Sequence, residues 1–522
     1  MNWGQIFACN LGWCIRNINR QSQHVYADQP LLQSAPAEYF RLEVRAVSTL
    51  EKYLPSGREQ AFLDKVVNRK YDRQIIAGIA KFARENVPQD MRGFYSREEL
   101  DQILALKGTS RDLEARMPIK ITRHYYERAQ YSWPMQALVK ASPRETHDLD
   151  GAEDPGKQMT YSPCEGLIHK YELALLYVAS TCSAHCRFCY REELIGRKQI
   201  TREDGTVAPK GLAQLGEVVE YIREHNRLVA ANGGRHPETG RERLREVLMS
   251  GGDPMVLGNK NIAAWLAALA EARVENIRIG TKELAFYPQR FDKTFFAMLD
   301  AFHEAYPAIS LRMIAHFNHP DEFLRKTPDG CYIGNPGGGL EWIAETRAAV
   351  NELARRDWIT MHNQSPIIRD INDNADSLRI MQREMLRNGI ENHYFFCGRD
   401  IIGHKAFNVP IERAWQILNE SQRGLSGIET HARLSITHYK GKTEVAAVTN
   451  EFVPGIPGGE KGVVIFKLLR SAADARDRCK VTIVGRNPKA IWFSGYNDRV
   501  IFDEAGLYSM YGIKPAFLQA AE

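Results

Sequence analysis

An α/β fold, a parallel sheet covered by helices, is the class this sequence predicts, on three observations. Six short apolar runs, at 173–180, 246–250, 276–280, 310–315, 358–363 and 393–396, have the length and composition of strands. Amphipathic stretches lie between them. One carries Ile262, Trp265, Leu266 and Leu269 on a single face, and another carries Leu340, Ile343, Val350 and Leu353. Six units of strand then helix in sequence argue a parallel sheet. Thirdly, the runs most suggestive of chemistry come directly after the first and second strands, and parallel βα folds place their chemistry at the C-terminal ends of strands. These are the cysteine loop that ends at Cys189 and the triplet Gly251-Gly252-Asp253.

Ahead of the first strand, residues 1 to about 140 read as mainly helical. Ser96 followed by Glu99 makes a capping box, and Gly108 ends the run Leu100, Ile103, Leu104, Leu106. Pro55, Pro88 and Pro118 divide other helical pieces. Residues 141–166, rich in Pro, Gly, Ser and Asp, read as a strap. After 450 the pattern is mixed, and 451–462, with two prolines and four glycines, reads as a loop into a C-terminal extension. The expected division is therefore 1–150, a mainly helical region with its strap; 151–450, the α/β unit; and 451–522, the extension.

With 522 residues the chain is long enough to bury a large core. Its 69 basic and 64 acidic residues give a net charge of +5, too balanced to imply a nucleic-acid partner. The longest apolar stretch, 262–270, is too short to cross a bilayer. The N-terminus has no basic region ahead of an apolar core, so no secretory signal is expected. Nine cysteines, three of them clustered, fit a reducing cytoplasm better than a disulfide framework. Cys9 and Cys14 are expected to be unpaired.

The cluster is Cys182, Cys186 and Cys189, spaced C-x3-C-x2-C. Three thiolates that close can hold three corners of a [4Fe–4S] cube, leaving the fourth iron open to a small molecule. A closed electron-transfer cluster would bring a fourth cysteine, and structural zinc would want four ligands, commonly in two separated pairs. With Phe188 directly before Cys189, the loop resembles the signature of radical S-adenosylmethionine (SAM) enzymes, in which SAM chelates the open iron.

A series of further segments resembles the lysine 2,3-aminomutase family of radical SAM enzymes, which also use pyridoxal 5′-phosphate (PLP). It runs from Asp154-Pro155 and His169-Lys170-Tyr171 through Ser250-Gly251-Gly252-Asp253-Pro254, Arg278-Ile279-Gly280-Thr281, Pro288-Gln289-Arg290 and His316-Phe317-Asn318-His319-Pro320 to Asn363-Gln364. It spans about residues 150–450. The resemblance implies a partial (β/α)6 barrel holding SAM and PLP, and a radical shift of an amino group from α- to β-carbon, begun by a 5′-deoxyadenosyl radical. It also implies a flavodoxin- or ferredoxin-type electron donor, and allows a homo-oligomer. Residue by residue, Cys182, Cys186 and Cys189 would ligate the cluster, and Phe188 would lie near the adenine. Gly251 and Gly252 let backbone approach a ligand. Asp253 would accept from the SAM ammonium, its alternative being a helix cap. Arg191 would grip the substrate α-carboxylate, and Lys170, Tyr171 and Gln364 would lie at the PLP phosphate. Lys442, after Gly441, matches the lysine that binds PLP, with Lys440 as the alternative.

Two departures from the family stand out. Its lysine enzymes hold zinc with cysteines that this chain lacks; Asn374 stands at one such place and Cys479 alone lies past residue 450, so no zinc is expected. Those enzymes also read the substrate ammonium with two aspartates. The matching positions here are Arg399 and Ser435, with Asp400 next door. A cation and a hydroxyl in place of two anions predict an acidic or polar amino acid, such as glutamate, rather than lysine. If Asp400 reads the side chain instead, lysine or arginine is the substrate. The rival functions are a mutase acting on a protein or peptide lysine and a non-enzymatic iron–sulfur electron carrier.

Overall fold

The structure is a computed structural model that describes residues 120–129, 131–139, 150–192, 199–201, 207–209, 211–450, 461–472, 474–509, 512, 513 and 515. The expected helices before residue 120, Cys9, Cys14 and the loop 451–460 lie outside the described residues.

The six expected strands are all present. They are β2 (Leu173–Ala179), β5 (Glu246–Gly251), β6 (Asn276–Thr281), β7 (Ser310–Ala315), β8 (Ile359–Pro366) and β9 (Ile390–Phe396). They pair side by side in that order, all parallel. The short β1 (Leu167–Ile168) flanks β2 on the outside, antiparallel to it, and β3 (Gln199–Thr201) with β4 (Val207–Pro209) forms a separate hairpin. β10 (Arg433–Thr437) adds a seventh parallel strand beside β9. From there the sheet turns antiparallel through β11 (Gly441–Val448), β12 (Val463–Ser471), β13 (Val481–Gly485) and β14 (Val500–Asp503). The C-terminal extension thus continues the same 12-stranded sheet.

The strands alternate in burial, although fully covered parallel strands are usually apolar throughout. In β6 Ile277, Ile279 and Thr281 are buried while Asn276, Arg278 and Gly280 are half-buried. The buried set packs against helices, with Val247, Met249, Ile277, Ile279, Leu311 and Met313 in one core with Trp265, Leu266, Leu269, Phe295 and Leu299. The other face is polar, with Glu246, Arg278, Arg312, His362 and Gln364 on it. Such a face needs an interior that water or ligands can enter. The sheet also curls, because its distant strands meet through side chains. Lys170, just before β2, donates from Nζ to the His438 carbonyl after β10 at 2.9 Å. Arg470 of β12 reaches Glu172 at 3.3 Å. The strands therefore form an open barrel wall, with no strand pairing between β1 and β14.

The first expected amphipathic segment is the helix Asn259–Glu271, whose Ile262, Trp265, Leu266 and Leu269 are buried. The second is shorter than expected. The helix is Ala344–Ala354, capped at Ile343, and Leu340 lies ahead of it in an isolated bridge with Gly334. Glycines 337–339, two of them with positive φ, break the chain before a helix can start.

Residues 120–139 and 184–187 belong to a second compact unit. It contains the helices Arg123–Ala129 and Trp133–Val139. Within it His185 N donates to the Lys120 carbonyl at 2.9 Å and Arg187 N to the Leu138 carbonyl at 2.8 Å.

Candidate active site

The cysteine loop leaves β2 at its C-terminal end, as expected. Cys182, Cys186 and Cys189 form no disulfide and are half-buried. Ser183, directly after Cys182, is pinned by the buried Glu283, whose carboxylate accepts from Ser183 Oγ at 2.5 and 2.6 Å. Among the described residues no three His, Cys, Asp or Glu side chains converge on a single metal ion.

Gly251 and Gly252 lie against the start of this loop. A Cβ on Gly251, whose φ is 117°, would stand 2.4 Å from the Ala179 carbonyl oxygen. A Cβ on Gly252 would stand 2.2 Å from that of Thr181. Gly252 N bonds the Ala179 carbonyl at 2.6 Å, and Asp253 N bonds that of Thr181 at 2.9 Å. The close approach that these glycines allow is therefore to the chain itself, and it fixes where the cysteine loop begins. Asp253 is buried and accepts from Met255 N (2.9 Å), Thr281 Oγ1 (2.8 Å) and Lys282 N (2.7 Å). It caps the turn Pro254–Val256, the alternative that the sequence offered. Burial pushes its carboxyl up to about 6, against those hydrogen bonds. Arg290, of the Pro-Gln-Arg run, holds the same loop by the carbonyls of Met255 and Leu257.

The His-Phe-Asn-His-Pro run after β7 builds a buried polar network. Lys282 Nζ donates to the His316 carbonyl (2.8 Å), Asn318 Oδ1 (2.7 Å) and Glu322 (2.6 Å). Asn363 and Asn372 tie that run to β8 and to the loop after it. The network aims His316, whose Nδ1 lies 2.7 Å from the Gln364 carbonyl and whose ring lies 5.9 Å from that of Phe188. Burial and Lys282 push His316 down to about 3, so the imidazole is neutral.

Lys442 stands in β11, paired with Thr437 of β10 and Arg470 of β12. Its Nζ lies 3.6 Å from the centroid of Tyr394 and 4.9 Å from that of Phe396, both on β9. Burial, then Arg470, Arg278 and Arg399, hold its pKa well below the ordinary lysine value. An amine whose charged form is disfavoured, set against two rings, has the character of a nucleophile. Lys440 lies in the turn instead, with Nζ against Gly506.

Lys170 is buried, and its Nζ donates to the carbonyls of Gly156 and His438, each at 2.9 Å. Burial and Arg399 bring it down to about 7, with Asp154 opposing. The Tyr171 hydroxyl beside it is buried with no partner among the described residues, as is Ser435 Oγ on β10. Gln364 pairs with Tyr394 in the β8–β9 register and so shares its face.

Arg191 donates from Nη1 to Ser250 Oγ at 2.5 Å and to the Gly251 carbonyl at 3.2 Å, while its Nε is buried with no partner. Burial works against its charge, but Tyr190, Tyr177, Cys189 and Cys182 outweigh that and raise its pKa. Arg399 lies over the Tyr190 ring at 4.1 Å. Gln158, with its amide oxygen turned inward, accepts from Arg399 Nη2 at 2.9 Å. The Asp400 backbone carbonyl accepts from Ala152 N at 3.0 Å. Lys170, Arg191, Arg399 and Lys442 therefore gather together, and none of them pairs with a carboxylate among the described residues. No pattern in the sequence points to the Tyr394–Phe396 wall, to Tyr190 or to Glu283. Each acts through one contact that only the folded chain creates, and no motif spacing encodes it.

No family model matches the chain. It is 30% identical over 371 residues to an Aquifex aeolicus protein named "Putative L-lysine 2,3-aminomutase", covering 70% of this chain and 83% of that one. The glutamate 2,3-aminomutase of Clostridioides difficile is 24% identical over 298 residues, 56% of this chain and 58% of that enzyme. The L-lysine 2,3-aminomutase of Clostridium subterminale is 24% identical over 274 residues, 52% and 54% of the two chains. A solved radical SAM methyltransferase from Sphaerobacter thermophilus overlaps 52% of this chain at 15% identity and a TM-score of 0.30, too slight to equate the folds.

Proposed function

The chain belongs to the lysine 2,3-aminomutase family of radical SAM enzymes, and we propose that it moves the α-amino group of a free acidic amino acid, with glutamate the best fit, to the β-carbon. The observation that carries this is the charge of the site: Arg191 and Arg399 both lie at Tyr190, and neither forms an ion pair with a carboxylate among the described residues. A buried lysine ammonium placed there would meet repulsion, and a second carboxylate would meet a guanidinium fork.

The residues present fit the family's cofactors. Three cysteines outside any disulfide, spaced C-x3-C-x2-C in one loop, suit a [4Fe–4S] cube with one open iron. Lys442, its charged form disfavoured by burial and walled by Tyr394 and Phe396, suits PLP, and the Tyr171 hydroxyl, unpartnered among the described residues, with Lys170 suits its phosphate. When bound, SAM on the cluster supplies the radical that removes a hydrogen, and PLP carries the migrating amine. The chain's own residues bind and orient. Arg191 holds the α-carboxylate at the mouth of the cysteine loop, and Arg399 holds the side-chain carboxylate. The rings of Tyr394 and Phe396 keep water from the Lys442 amine. The substrate is a small molecule, and a flavodoxin or ferredoxin is the class of reductant that would suit the cluster.

The test is an anaerobic incubation of reconstituted protein with SAM, PLP, a chemical reductant and isotopically labelled glutamate, aspartate, lysine or arginine, followed by NMR. Glutamate should give 3-aminopentanedioate, whose mirror symmetry makes its spectrum distinctive. A β-amino product from lysine or arginine alone would overturn the substrate assignment.

A further inference from the structure

Tyr190 directly follows the last cysteine of the loop and is 39% exposed, so it is no core residue. Two guanidiniums nonetheless lie at its ring, Arg399 at 4.1 Å and Arg191 at 4.6 Å from the centroid. Arg191 has a second ring, the buried Tyr177, at 5.3 Å. Like charges repel, so two such groups at one small ring need something to hold them. A carboxylate between them would do so, but it would also occupy their donors. A ring face attracts each cation through its quadrupole and takes no N–H. Among the described residues Arg191 Nε is buried and unpartnered. The Arg399 Nη groups donate to the neutral amide of Gln158 rather than to an anion.

Building on the acidic-substrate reading, we infer that Tyr190 is a positioning residue that sets substrate specificity, holding Arg191 and Arg399 as one paired anion receptor for an amino acid with two carboxylates. Arg191 comes from the loop after β2 and Arg399 from the loop after β9, strands that do not pair with each other. The Tyr190 ring is the contact they share, so it fixes the gap that the two carboxylates must span. A substrate with one carboxylate uses only Arg191 and is indifferent to that gap.

The experiment measures glutamate turnover and equilibrium binding of labelled glutamate for wild type, Tyr190→Leu and Tyr190→Phe, with alanine as the one-carboxylate control for binding. Iron content and thermal melting report whether each variant is folded. Loss of ring contacts to two cations should raise the KM and Kd for glutamate about tenfold in Tyr190→Leu, with kcat changed little. Tyr190→Phe keeps the ring and should behave as wild type, and alanine binding should be the same in all three. Unchanged glutamate affinity in a folded Tyr190→Leu overturns the inference. So does a Tyr190→Phe as weak as Tyr190→Leu, because the hydroxyl would then be what matters. A wild type that neither binds nor turns over glutamate overturns this inference and the acidic-substrate reading together, whereas tight wild-type binding with indifferent variants overturns this inference alone.

Discussion

In the parallel half of the sheet, β2 and β5–β9, the polar groups of the site hang mostly from the loops at the strand ends; in the antiparallel half they stand on the strands themselves. Cys182, Cys189, Arg191, Asp253, His316 and Arg399 all follow the last residue of a parallel strand. Lys442, by contrast, is the second residue of β11, and Arg470 is the eighth of β12. A loop group is held by whatever pins the loop, such as Glu283 on Ser183 or the glycine contacts with Ala179 and Thr181. A strand group is held by the ladder, and what surrounds it decides its chemistry. Changes in the two halves should therefore fail in different ways.

The largest contrast should come from the strand side. Lys442→Ala should abolish turnover and remove the near-visible absorbance of lysine-bound PLP while leaving fold and iron content intact. Lys440→Ala, altered in the neighbouring turn, should keep both. If Lys440→Ala is the variant that loses the band, the strand assignment is wrong. On the loop side, Gly252→Ala puts a methyl 2.2 Å from the Thr181 carbonyl, closer than atoms can stand, so the loop must move. Iron content and SAM cleavage should both fall, as they should in any Cys182, Cys186 or Cys189→Ser variant. A Gly252→Ala protein with full iron would show that the contact does not position the loop.

A smaller effect is expected where loop groups share a buried pair. Lys282 and Glu322 meet at 2.6 Å, with the two side chains 6% and 0% exposed. Lys282→Met would leave the buried Glu322 carboxylate without its cation, at a cost of about 3–5 kcal/mol. Denaturant unfolding would measure it, and a loss below about 1 kcal/mol would mark the pair as no more than a surface one.

The effect of pH is spread over several groups and is common to both halves. Burial pushes His169 down to about 2 and His316, His393 and His438 to about 3, so the folded chain binds fewer protons than the unfolded one from about pH 3 to 6.5. Unfolding then takes up protons, and stability rises with pH across that window, by up to about 1.4 kcal/mol per pH unit for each histidine. Asp253, raised to about 6, works the other way between about pH 3.8 and 6, but it is one group against four. Thermal melting should be lower at pH 5 than at pH 7.5, and equal midpoints would contradict the burial of neutral imidazoles.

The same division separates what the sequence disclosed from what it hid. The six strands expected in parallel were legible, because apolar runs bounded by turns alternate with helical patterns; the seventh, β10, was not. Only the ends moved: β9 begins at Ile390 rather than 393, since Glu391, Asn392 and His393 mask its start. The antiparallel strands were missed, and irregularity is the physical reason. Register shifts at Lys442/Thr443 and Val445/Ala447 break the period-two alternation by which a strand is read. Within the site, the motif loops were legible as motifs, but the partners that give them shape were not. Nothing in the spacing of Tyr190, Tyr394 or Glu283 says that they meet Arg399, Lys442 and Ser183.

Steady-state turnover of glutamate, lysine and arginine by wild type and Arg399→Ala tests the central claim most directly. Wild type should prefer glutamate, and Arg399→Ala should lose most of that preference while keeping its iron and its PLP absorbance. The assignment of an acidic substrate is contradicted if lysine or arginine is turned over best and Arg399→Ala leaves the preference untouched.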